Sequence, residues 1–446
     1  MLDKNTAKEM VEKLCGETKF YATVMIENRT QDTTRFANSE ISQNVSITDT
    51  VVGLTLYDGK KEATCTGNVL TDYGLEKLVK DAEDILRVAP EGEFEAFEPP
   101  REYVHETEGN ARLHKTFGIN ERAALIKQGV AKIETGYLAA GALELEHVTS
   151  VFGDSKGCFR HSAYDIARFN TVVTHTASGA AGGGECVSYR DDDINIIAEF
   201  QRAQETARRA RNPEPVPLGA YTVVLSPLAF GDLMSFVTDM FDAKLVDDGV
   251  SFAVGKLNER VFGENITVRD DVDTAGTQPI FFDVEGNRRQ TVRLIENGVV
   301  KGFLYDNKTA ARHGLKSSGH ASFYRVISRK LPGGTPFNIV MDGGENSLAE
   351  IIKGTGKGIF INEFHYTNFV NPRTLQITGL TRNGAFLIEN GELTKPVSTL
   401  RFTQNMTEAL NRVTALSRER GKVSVNDAIY IIPAAKIEGF HFTGQQ

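Results

Sequence analysis

The feature that most constrains this chain is the punctuation of its second half. From about residue 217 onward, short apolar runs such as "AYTVVLSP", "QPIFFDVEGN", "KGIFINEFHY" and "DAIYIIPAAKIEGFHF" alternate with turns. Asn-Gly recurs at 297–298, 383–384 and 390–391. Each is read as a hairpin turn, because a type I′ turn needs two successive residues with positive φ. The pentapeptide "LIENG" occurs twice, at 294–298 and 387–391; its flanks do not otherwise align, so the copies are turns rather than an internal repeat. Two helices, near 227–242 and 405–420, interrupt the pattern. The expectation for 217–446 is a large, mainly antiparallel β domain with helices on its face.

The 446 residues exceed what one core serves, so further domains are expected. Residues 1–98 read as an N-terminal α/β domain. A helix at about 5–15 precedes extended segments, and a second helix near 74–88 places Leu75, Leu78, Val79, Ala82, Ile85 and Leu86 on one stripe. The acidic text around Pro99 and Pro100 marks 99–115 as a linker. Residues 116–212 form a central domain in which a helix at each end flanks period-2 strands. The aspartates at 191–193 stand where a helix N-terminus favours negative charge. The glycine-rich "SGAAGGGE" at 178–185 matches neither phosphate-loop pattern and is read as a hairpin tip. The class is α+β.

Composition removes several functions. The net charge is −9, and the densest basic run, "RRARN" at 208–212, closes a helix; no nucleic-acid surface is written here. The cysteines Cys15, Cys65, Cys158 and Cys186 include no CxxC pair, which excludes a zinc knuckle or dithiol redox motif and suits a reducing compartment. No apolar run approaches the roughly 20 residues of a membrane helix, and the first residues form a charged amphipathic helix rather than a signal peptide. A cytoplasmic chain with no membrane partner is expected.

Three stretches carry a resemblance: "TRFANSEISQNV" at 34–45, "DDVDTAGTQPIFFDVEGNRRQTVRLIENGVVKGFLYDNKTAARHG" at 270–314, and "NPRTLQITGLTRNGAFLIENGELTKPVSTLRFTQNMTEALNRV" at 371–413. In order and together they resemble the TldD/PmbA family of zinc-dependent proteases over nearly the whole chain. The family has two kinds of subunit. The TldD kind carries HExxxH on a helix, where two histidines and a third ligand hold zinc and the Glu activates water. The TldE/PmbA kind lacks that motif and pairs with the first.

The matching helix should follow "VVLSP", and here it reads "LAFGDLMSFVTDMF", with no histidine. The one His-Glu pair, His105-Glu106, is followed by Gly109 and Asn110 where a second ligand would stand, with His114 further on. It reads as a solvated loop feature. The resemblance therefore implies a TldE/PmbA-type subunit with no catalytic residue and no metal of its own, zinc residing in a TldD-type partner. Its substrates would be unfolded or short peptides held as added strands. A homodimer is expected when the partner is absent. Glu363 and His365 alternate on one strand face, just before the Asn-Pro segment opened by Asn371, and all three are candidate peptide-groove residues. Two other readings stay open. One is a stand-alone metallopeptidase with a displaced zinc site drawn from His147, Cys158, His161 or His365, with His147 and Cys158 facing one another across strands. The other is a regulatory binding protein of the DNA gyrase modulator type. His175 is read as a satisfied histidine.

Overall fold

The computed structural model describes residues 2–190, 194–324 and 329–445, with backbone alone at 323–324 and 329–331. It is 44% strand and 23% helix, and the α+β expectation is borne out. The first half is built on a six-stranded antiparallel sheet of long strands. Tyr21–Ala37, Glu40–Asp58 and Lys61–Gly67 lie on one side, and Tyr137–Asp154, Phe159–His175 and Ala181–Ser188 on the other. The seam joins 21–37 to 137–154 from Thr23↔Asp154 to Phe36↔Gly141. Regions 1–98 and 116–212 thus share one sheet. The intervening 99–115 segment is laid across it: Thr107 donates from Oγ1 to the Pro279 carbonyl (3.0 Å) and accepts from Ala163 N–H (2.8 Å).

The period of two sorts the faces of this sheet. Ala22, Val24, Ile26 and Val151 meet the helices Lys4–Gly16 and Asp72–Val88 at one end. Leu143, Leu145 and Phe169 meet Ile119–Val130 and Ile196–Arg209 at the other. Residues of the opposite parity, Val148, Tyr164 and Ile166, pack on Val340, Ile429 and Ile431 of the second half. The order of layers is helices, six-stranded sheet, C-terminal domain.

The C-terminal domain is an eleven-stranded sheet, mostly antiparallel. Parallel pairings join 338–341 to 428–445 and 357–371 to 219–225. Its last strand, Ala428–Gln445, also pairs with 219–225, 400–405 and 413–425, so the chain's end organises the sheet. Both "LIENG" copies are hairpin turns: Asn297 and Asn390 have φ of 48° and 53°, and Gly298 and Gly391 of 78° and 82°.

Several expectations need correction. The helix expected over 405–420 covers only Met406–Asn411; Val413–Val425 is strand, because its ladder to the last strand overrides local helix propensity. "QPIFFDVEGN" forms no named strand and turns at Asp283, whose Oδ1 accepts from Glu285 and Asn287 N–H. Asn383-Gly384 is no hairpin but a bulge inside the strand Gln376–Glu389. Ile85 is 46% exposed, off the buried stripe of its helix. The run Ala181–Ser188 is an edge strand, not a tip. A Cβ at Gly182 would run into the Ala203 carbonyl, so glycine here permits a close approach of helix to strand. The aspartates at 191–193 lie outside the described residues; the helix after them is capped by Asn195.

Candidate functional site

The helix Pro227–Asp239 occupies the place where the family's zinc motif is expected. Ser226 caps it, accepting from Ala229 N–H (3.1 Å) while its own Oγ donates to the Asn362 carbonyl (2.5 Å). Proline at the first helical position fits the missing donor there. Most of the helix is buried. The half-exposed positions Leu228, Asp232, Phe236 and Asp239 make a stripe at helical spacing. Along it runs the strand Lys357–Asn371: Asp232 accepts from Thr367 Oγ1 (2.5 Å), and Phe236 meets Phe369 edge-on at 5.0 Å. The helix offers carboxylates and a serine but no imidazole, so its donor set does not fit a HExxxH zinc site.

Beside the helix opens a cleft of about 560 Å³ between the two halves of the molecule, with Glu185, Glu199, Arg202, Leu228, Arg420 and Lys422 on its walls. Its carboxyls are shifted together. Burial, then the neighbouring Glu363 charge, pushes Glu185 up to about 7. Burial likewise raises Glu199, despite its ion pair with Arg202, and, behind the cleft's lining, it raises Glu363 and Asp232. Glu185 can hold a proton near neutral pH, and the carboxyl oxygens of such a group can accept hydrogen bonds from a bound chain's N–H groups. Glu185, Glu199 and Asp232 were not foreseen, because no local pattern links strand 181–188, helix 196–209 and helix 227–239.

Of the candidates read from the sequence, Glu363 belongs to this cluster. Its Oε2 accepts from Asn383 Nδ2 at 2.7 Å, and a Cβ at Gly183 would stand 2.7 Å from that same oxygen. His365 is next along the face but turns to Arg382, with Nη1 to Nε2 at 2.8 Å. Slight burial and that guanidinium lower its pKa. Asn371 stands at the far tip of the strand, eight residues or about 26 Å from Glu363, where it caps a 3₁₀ turn by accepting from Arg373 N–H (3.0 Å). The structure therefore sets Glu363 behind the cleft wall, as a neighbour of Glu185, and leaves Asn371 away from it.

The remaining histidines divide. His147 lies directly opposite Asp165 in the ladder, which corrects the expectation that it faces Cys158. Cys158 sits beyond the end of that pairing, donating its N–H to Asp154 Oδ1 (2.7 Å), and His161 pairs with Val151. The register spreads the proposed displaced ligands along the sheet. What the fold assembles instead is a trio: Asp165 Oδ1 lies 2.8 Å from His147 Nδ1 and 2.6 Å from His114 Nε2, and Oδ2 accepts from Asn110 N–H. One ligand atom from each of the three lies within 4.8 Å of the others, the one such group of histidines and acids found among the described residues. It has the donor types of a two-histidine, one-carboxylate site, yet each member already has hydrogen-bond partners. His105 rests edge-on against Phe281, Glu106 pairs with Lys4 at 2.5 Å, and His175 bonds Ser178.

The likeness of this chain to known proteins follows the same layout. The family model for the PmbA/TldA metallopeptidase C-terminal domain matches residues 218–444, and that for PmbA/TldA metallopeptidase domain 1 matches 22–86. An uncharacterized protein of Methanocaldococcus jannaschii is 32% identical over 230 residues, 50% of this chain and 52% of that one. The alignments with it and with two archaeal metalloproteases cover only about half the length of each relative. A metalloprotease TldD homolog of Buchnera aphidicola is 23% identical over 424 residues, 90% of this chain and 86% of that one. Among solved structures, a modulator of a DNA gyrase from Thermotoga maritima superposes with a TM-score of 0.86 at 20% identity, covering 98% of this chain and all of that one. TldE from Thermococcus kodakarensis gives 0.85 at 19%, with the same coverage. At such identities the superpositions speak for the fold. The family matches, spanning both ends of the layered architecture, decide the lineage: this chain belongs to the PmbA/TldD family.

Proposed function

We propose that this chain is a TldE/PmbA-type subunit of a cytoplasmic two-subunit metallopeptidase, and that it lacks the zinc site itself. The observation that carries the reading is the helix Pro227–Asp239. It follows "VVLS" and presents Asp232 and Asp239 rather than histidines. Zinc and the activated water then reside in a TldD-type partner bearing HExxxH. This chain contributes wall and substrate contacts, with Glu363 and the raised acids around it facing the bound peptide. Unfolded or short peptides are the substrates, because an added strand is held through backbone hydrogen bonds that folded proteins do not offer. Without the partner, a homodimer uses the same surface.

The test is metal analysis of the purified chain alone and after mixing with a HExxxH-bearing homologue from the same cell. The expected result is no stoichiometric zinc and no EDTA-sensitive peptidase activity alone, with both appearing in the complex. Zinc and activity in the isolated chain would overturn the assignment. A second reading, a regulatory partner of a topoisomerase, draws on the gyrase-modulator description of the Thermotoga protein. Capture of gyrase without any HExxxH homologue would favour it.

A further inference from the structure

A second cavity, of about 700 Å³, lies between the six-stranded sheet and the C-terminal domain, on the side of helix 227–239 where that helix ends. Its volume is within the roughly 300–1,000 Å³ of small-ligand sites. Arg289 forms part of its wall and is 5% exposed. The guanidinium lies flat over Phe337, 3.4 Å from the ring centroid. Among the described residues its Nε and Nη1 have no hydrogen-bond partner. Two acids lie close enough to act on it, Asp270 and Asp283, but both are committed elsewhere. Asp283 accepts from the N–H groups of Glu285, Asn287 and Ala321. Asp270 accepts from those of Phe337 and Asn338 and has His320 Nε2 at 3.5 Å. Arg289 thus lines an open volume while two of its own donors, closed off from solvent, stay unspent, which is costly for a buried cation without a further counter-charge.

Acceptors in the same wall are also unspent. Gln278 donates a hydrogen bond from Nε2 to the Tyr164 hydroxyl (2.6 Å), and its Oε1 has no partner among the described residues. Asp239, in the last turn of the helix, has no side-chain hydrogen bond or ion pair among the described residues, and it lines the cavity. Met25, Ile280 and Phe282 add apolar surface to the lining. The planar guanidinium matches a carboxylate, while Asp239 and Gln278 Oε1 suit an amine or amide N–H.

We propose that this cavity binds an α-carboxylate through Arg289, with the ligand's nitrogen end directed to Asp239 and Gln278. Such a group comes from the C-terminus of a short peptide or from a free amino acid. The inference rests on the peptide reading above only in its choice of probes. It is read on the isolated chain, without zinc, partner or activity, so its failure leaves the subunit assignment standing, and the converse holds too.

Isothermal titration of the full chain with tri-alanine, tri-alanine amide and alanine tests it. Binding of tri-alanine or of alanine is expected, with the amide weaker than tri-alanine by roughly tenfold or more, since a site built for a charged partner rejects the analogue that lacks it. Tri-alanine binding tighter than alanine identifies a peptide end; alanine binding as well as tri-alanine identifies a free amino acid. Arg289→Gln should abolish binding. Asp239→Asn should weaken tri-alanine but leave N-acetyl-tri-alanine unchanged. Equal affinity for acid and amide, or no binding of either acid at millimolar concentration, overturns the proposal. Both of those outcomes are read on the unsubstituted chain and stand even if Arg289→Gln does not fold.

Discussion

Asn383 and Glu363 meet across a β-bulge. The Nδ2 of Asn383 donates to Glu363 Oε2 at 2.7 Å, while the Asn383 carbonyl accepts from Asn362 Nδ2 at 3.1 Å. The ladder slips between Ile361 and Glu363, so that Asn383 and Gly384 stand opposite the single Asn362 and the Asn383 amide turns toward Glu363. A bulge re-aims a side chain in this way when regular pairing would point it elsewhere.

Removing that amide leaves a largely buried carboxyl short of its donor. Asn383→Ala should lower stability by about 1–3 kcal/mol, read as a shift in urea midpoint at constant slope. Gln at 363 should rescue much of the loss, because a neutral amide needs less from its surroundings. No loss in Asn383→Ala would mean that the pair is incidental.

The cleft should also print a pH dependence on stability. Glu185 stands at about 7 against an ordinary 4.5, so its protonated form is the one the fold favours. Its contribution is full below about pH 4.5 and is lost as pH rises through about 7. Glu185→Gln should flatten the stability profile over that window and stabilise the chain above it, by roughly 3 kcal/mol at most. Melting temperatures of both proteins at pH 5 and pH 8 decide it. An unchanged difference between the two pH values would contradict the shift.

Asp165 holds its trio together from a fully buried position. Asp165→Ala should cost about 1–3 kcal/mol, because it leaves the buried His147 ring and the Asn110 N–H without their acceptor. If hydrogen bonding is the whole of its work, EDTA leaves the melting temperature of the native chain unmoved. A drop on chelation, reversed by added zinc, would instead make the trio a metal site.

The second "LIENG" offers a test of its turn. Gly391 has φ of +82°, and a Cβ there would run into the Lys353 backbone. Gly391→Ala should cost more than about 1 kcal/mol, since strain adds to the steric overlap. Asn390→Gly should be nearly neutral, because glycine adopts the same positive φ. Thermal unfolding of the two variants separates them.

The elements that depended on neighbours in sequence were legible in sequence. The Asn-Gly hairpins at 297–298 and 390–391, the amphipathic helices over 4–16 and 72–88 and the strand-rich second half follow from φ preferences and from periods of 2 and 3.6. These act within a few residues and are written wherever the residues are. The missing histidines of helix 227–239 were equally legible, since an absent side chain needs no fold to be noticed.

What the tertiary structure decided is what distant segments do to one another. It made Asn383-Gly384 a bulge, because the strand 357–371 pairs on both sides of it. It made 413–425 a strand, because 428–445 offered a ladder. It set His147 against Asp165 by register, joined strand 181–188 to helix 196–209 through the smallness of Gly182, and brought Glu363 between Glu185 of the cleft wall and Asp232 of the helix. Arg289 in the sequence is one arginine among many. Only folding withdraws it from water, commits its acidic neighbours to backbone amides, and leaves its charge facing a cavity. Burial and register are properties of the whole chain, and no local stretch of residues contains them.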